Sequence, residues 1–128
     1  MLRATYVFLI LSFIAYKGLA QEKPPVIALA SDTQQPMWVE KLLLKSNPNQ
    51  QATEMIFKDV VKVHPSGFFI LGDVVSLGYK NKAWTAMDTY IKQCKQDSIP
   101  VYATLGNHEV ICNQKRGTAH LSSRITLS

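Results

Sequence analysis

The feature that most restricts the fold is an alternation of two patterns. Three short apolar runs, at residues 26–30, 68–71 and 101–105, are divided by stretches with helical spacing. Runs of four or five apolar residues suit strands buried on both faces. Strands that alternate with helices argue for a parallel sheet with right-handed crossovers. The sequence therefore predicts an α/β fold built on a parallel βαβαβ unit. Each run ends in polar residues: Ser31-Asp32-Thr33-Gln34, then Gly72-Asp73, then Gly106-Asn107-His108-Glu109. Parallel strands point the same way, so these groups gather at one edge, where open α/β sheets bind their ligands.

The intervening stretches carry their own signals. Pro36 suits the first turn of a helix whose apolar side is Trp38, Val39, Leu42 and Leu43. Asn47-Pro48-Asn49-Gln50 reads as a fresh start, with Asn47 as cap and Gln50 as its capping-box partner. Ala52, Ile56, Val60 and Val63 then recur at helical spacing, and Pro65-Ser66-Gly67 stops that helix. Trp84, Met87, Ile91 and Cys94 form a third stripe, expected in the core. Residues 113–128 hold no acidic residue and no clear amphipathic period. They read as an irregular tail, with a frayed strand somewhere in residues 121–127.

The amino-terminal end reads as an export signal. Arg3 is followed by an apolar run at residues 6–16, and Gly18 and Ala20 stand at the small-residue positions of a cleavage site. The alternative, a membrane anchor, needs about 20 apolar residues, so no stable span is expected after cleavage. The expected organisation is a leader at residues 1–20, a linker at 21–25, a partial domain at 26–112 and the tail at 113–128. Removing Arg3 and Lys17 from fourteen basic residues leaves twelve against nine acidic, a net +3. That balance is too weak to argue for a nucleic-acid partner. Export would permit a disulfide between Cys94 and Cys112, but Cys94 falls on the buried stripe and reads as a free thiol. With no CxxC, no zinc site of that kind is indicated.

Carboxylate, amide oxygen and imidazole meeting at one edge are ligands for hard or borderline divalent metals. Asp73 could bridge two ions about 3.5–4 Å apart, an arrangement suited to attack on phosphorus.

The three polar segments resemble the first signature blocks of the calcineurin-like metallophosphoesterases, written D-x-H, G-D and G-N-H-E/D. The spacing of 41 residues from Asp32 to Asp73 and 34 from Asp73 to Asn107 also fits that family. The resemblance covers about residues 26–112. It implies half of that family's α/β sandwich, apparently truncated, and hydrolysis of small-molecule phosphate esters with two divalent ions among Mn, Fe, Zn, Mg and Ca. Carried over by position, Asp32 would bind the first metal, Asp73 would bridge both and Asn107 would bind the second. His108 would stabilise the transition state or protonate the leaving oxygen, and Glu109 would support the loop.

Two departures stand out. Gln34 occupies the place of a histidine ligand, and its amide oxygen is a weaker, harder donor that favours oxygen-preferring metals. The later G-H and G-H-x-H blocks have no counterpart here: His64 reads as a surface residue, and His120 lacks a flanking glycine. Impaired hydrolysis is the expectation. An inactive truncated fragment and a non-enzymatic exported module that binds metal or phosphate are the alternatives.

Overall fold

The computed structural model describes residues 24–43 and 48–127. The expected leader, most of the linker and Asn47 lie outside the described residues. The chain runs β1 (Ile27–Ala30), α1 (Trp38–Leu43), α2 (Asn49–Val63), β2 (Gly67–Leu71), a 3₁₀ turn (Asn81–Trp84), α3 (Thr85–Gln96), β3 (Val101–Thr104), α4 (Asn107–Val110), α5 (Gln114–Ser122) and β4 (Thr126–Leu127). The sheet order is β1-β2-β3-β4, and every pair is parallel. The expected βαβαβ core is present, with one short strand added at its far edge.

One face of this sheet carries the core. Ala28 and Ala30 of β1, Phe68 and Ile70 of β2, and Val101 and Ala103 of β3 share that face by register. The stripe Trp84, Met87, Ile91 and Cys94 packs in the same cluster, each at most 3% exposed. Phe57 joins it from α2, edge-on to Phe68 at 5.3 Å and stacked on Tyr90 at 4.8 Å.

The opposite face departs from expectation. Ile27, Leu29 and Leu71 are 51%, 66% and 54% exposed. Phe69 stacks on Tyr102 there, with ring centroids 4.7 Å apart. The first run was expected to be buried on both faces. It is an edge strand, covered on one face by the described helices.

Two further expectations change. The buried residues of α2 are Thr53, Phe57 and Val60, whereas Ala52 and Val63 are exposed. The helix is rotated because Phe57 offers a larger apolar surface, and the rings of Phe68 and Tyr90 receive it. The expected irregular tail is instead ordered as α5, while the short strand expected within residues 121–127 is present as β4. Asn113 Oδ1 accepts from Arg116 N at 3.0 Å and caps α5. Leu121 and Ile125 are buried in the common core, and β4 pairs with Tyr102 and Ala103. The helix is inconspicuous in sequence because Gly117 breaks its propensity and Leu121 is its one buried apolar side chain. Cys94 is a buried free thiol and Cys112 an exposed one.

Candidate functional site

The ends of β1, β2 and β3 meet as expected, and backbone conformation shapes the meeting. Asp32 and Asp73 both adopt the left-handed region, with φ of 54° and 50°. Aspartate tolerates this better than most residues, and such conformations concentrate at functional loops. Gly106 is required for a different reason. A β-carbon there would lie 2.1 Å from Asp73 Oδ1 and 2.2 Å from Asp73 N. The glycine thus lets the β3 loop press against the β2 loop.

That approach has a product. The His108 backbone N–H donates to Asp73 Oδ1 at 3.0 Å, which joins the second and third polar segments directly. The first is tied in through Gln34, whose backbone N–H donates to Asp73 O at 3.1 Å. Ser31 hydroxyl donates to the Asp32 carboxylate. Asp32 and Asn107 are exposed at this edge, and Gln34, Asp73 and His108 are half-buried.

His108 is held by its ring as well. Its Nδ1 lies 2.8 Å from Ser76 O. A carbonyl can only accept, so Nδ1 carries a proton and Nε2 is the ring atom left for chemistry.

Glu109 is fully buried. Its Oε1 accepts from Val75 N at 3.1 Å and its Oε2 from Gly106 N at 3.0 Å. One carboxylate therefore fixes both the segment after Asp73 and the glycine beside it. Its own backbone is enclosed in turn. A β-carbon at Gly117 would stand 1.7 Å from Glu109 O. Helix α5, expected to be tail, is thus a wall of the site.

Several contributors escaped the sequence reading. Asn49 Nδ2 donates to Asp32 O at 2.9 Å and to Gln34 O at 2.7 Å. Thr33 Oγ1 donates to Val74 O, and Thr53 Oγ1 to Thr33 O, both at 3.1 Å. Gly78 O accepts from Trp84 Nε1 at 2.8 Å and from His120 Nδ1 at 3.0 Å. All but the Trp84 bond join side chain to backbone across 15 to 42 residues, which no local periodicity reveals. His120 is accordingly a brace on the Ser76–Gly78 loop, and His64 is exposed at the end of α2.

The donors at this edge are all oxygens: two carboxylates from Asp32 and Asp73, and two amides from Gln34 and Asn107. Among the described residues, no group of three or more His, Cys, Asp or Glu side chains could hold a metal. A divalent ion takes about four to eight ligands. The set suits one hard cation in part and falls short of two.

No helix among the described residues is long and apolar enough to cross a membrane. No curated protein matches the sequence. A family model described as calcineurin-like phosphoesterase, a group that hydrolyses phosphate esters and in general binds divalent metal ions, matches residues 25–126. The match takes in all three polar strand ends and also α5, which the motifs alone did not reach. The chain belongs to the calcineurin-like phosphoesterase family.

Proposed function

We propose that the chain serves the metal-dependent hydrolysis of small phosphate esters outside the cytoplasm, supplying the first part of a two-metal site. The observation that carries this reading is the bond from His108 N to Asp73 Oδ1. It ties the backbone of the histidine-bearing segment to the carboxylate proposed to bridge the metals, which supports reading the two segments as one site. Asp32, Gln34, Asp73 and Asn107 are the donors this chain offers. Divalent ions, when bound, neutralise charge on the phosphoryl oxygens. His108, with Nδ1 committed to Ser76 O, presents Nε2 to a phosphoryl or leaving-group oxygen. Glu109 holds the loop that carries it.

Because the donor set falls short of two ions, residues 21–128 are expected to bind Mn²⁺ weakly and turn over p-nitrophenyl phosphate slowly. Asp73→Ala should abolish both, and His108→Ala should lower turnover about 100-fold or more while sparing Mn²⁺ binding. Hydrolysis that survives Asp73→Ala overturns the reading. The same shortfall favours a second reading, a module that binds metal or phosphate without hydrolysis. Mn²⁺ binding lost in Asp73→Ala, with no turnover by the unaltered chain, selects it. Export is supported by the leader pattern, and the secreted chain should begin at Gln21 on amino-terminal sequencing.

A further inference from the structure

The Gln34 side chain lies between two backbone carbonyls, those of Asp32 and Asp73. Both are acceptors, so the amide must turn its nitrogen to them. In that orientation Nε2 donates to Asp32 O at 3.0 Å and to Asp73 O at 2.9 Å. One NH₂ group thereby spans the two strand ends that carry the acidic residues. The same residue's main chain adds a third tie, from Gln34 N to Asp73 O. Asn49 converges on the same place, reaching Asp32 O and Gln34 O from the start of α2.

We infer that Gln34 is a positioning residue, an amide clamp that sets the spacing of Asp32 and Asp73 before any cation arrives. The chemistry explains why glutamine serves here. A primary amide has two N–H bonds on one nitrogen, enough for two carbonyls at once. A neutral imidazole has one N–H in all, and a carboxylate has none. The clamped carbonyls belong to residues held in the left-handed region, where a fixed tie limits relaxation to commoner conformations. With the nitrogen committed, the oxygen is the one head atom that Gln34 can offer a cation. The inference rests on the proposed site only in taking Asp32 and Asp73 as its acidic pair.

The clamp is testable without metal. In the chain at residues 21–128 with EDTA, Gln34→Glu and Gln34→Met should each lower the thermal midpoint by about 5–10 °C, because both remove two donors. A glutamine that acts solely as a ligand predicts no change in EDTA for either. In the unaltered chain, the side-chain amide protons of Gln34 should exchange with solvent at least tenfold more slowly than those of exposed Gln96. That measurement decides the matter if a variant fails to fold. Equal exchange rates overturn the clamp, as does a Gln34→Glu midpoint within 1 °C of the parent.

The positioning role has a separate readout. Gln34→Glu should bind Mn²⁺ at least tenfold more weakly despite its added charge. Ile91→Ala, destabilised in the core away from the strand ends, should keep the parent's affinity at a temperature where both are folded. Tighter binding by Gln34→Glu refutes positioning. If the parent binds no Mn²⁺, the metal-dependent reading fails, while midpoint and exchange still decide the clamp.

Discussion

At the scale of single residues, the site depends on groups that touch no substrate. Glu109 is a fully buried carboxylate whose two oxygens each take one backbone N–H. Glu109→Gln would keep an acceptor for one N–H and turn an NH₂ toward the other. The expected cost is about 1–3 kcal/mol, read as a lower denaturation midpoint. Gly117→Ala should cost at least about 3 kcal/mol, because its new β-carbon would meet backbone and not a movable side chain. The two thiols should separate cleanly. Burial, and then the negative charge of Asp97, push the Cys94 thiol above its ordinary 9.0. Native protein at pH 8 should react with iodoacetamide at exposed Cys112 and be spared at Cys94, with both modified in urea. Cys94 has its folded value raised above its unfolded one. Its contribution to stability is therefore complete below the ordinary thiol value and is lost as pH rises through the folded one.

At the scale of elements, α5 shows what pattern reading can and cannot reach. The strands were legible because continuous apolar runs have few alternatives in a chain this short. The α3 stripe was legible because Trp84, Met87, Ile91 and Cys94 keep strict spacing. The α2 stripe was placed about one residue out, since Ala52 and Phe57 both score as apolar and only the rings of Phe68 and Tyr90 choose between them. Helix α5 was missed because its main contact is negative: the lack of a side chain at Gly117. Its apolar anchor Leu121, like Ile125 just after the helix, counts only once the core it enters exists. Leu121→Ala should accordingly cost about 2–5 kcal/mol by chemical denaturation, the loss expected of a core residue and far above that of a tail residue. Within the site, the acidic pair, Asn107 and His108 were legible as types at strand ends. The braces from Asn49, Thr33, Thr53 and Ser76 were not, because they join residues far apart in sequence.

At the scale of the whole molecule, the described sheet is lopsided. One face holds the core, and the other presents Ile27, Leu29 and Leu71 around the stacked pair Phe69–Tyr102. None of these side chains is charged. An apolar face beside an open strand edge is an aggregation hazard. The chain at residues 21–128 should therefore bind a hydrophobic dye and associate as its concentration rises. Leu29→Lys should reduce both, because it places a charge on that face at its open edge strand without entering the core. Analytical ultracentrifugation across concentrations measures the effect, and a monodisperse parent would refute it.

Trp84 has a further use, as a lamp. Its indole is completely buried, its N–H is bonded to Gly78 O, and the Arg124 guanidinium lies 4.9 Å over its ring. The carbonyl it holds belongs to the loop whose Ser76 fixes His108. Emission from this indole should be blue while the loop is seated, and should redden as the loop lifts. With the second indole removed by Trp38→Phe, the chain carries an optical gauge of the footing of His108, readable without label, substrate or metal.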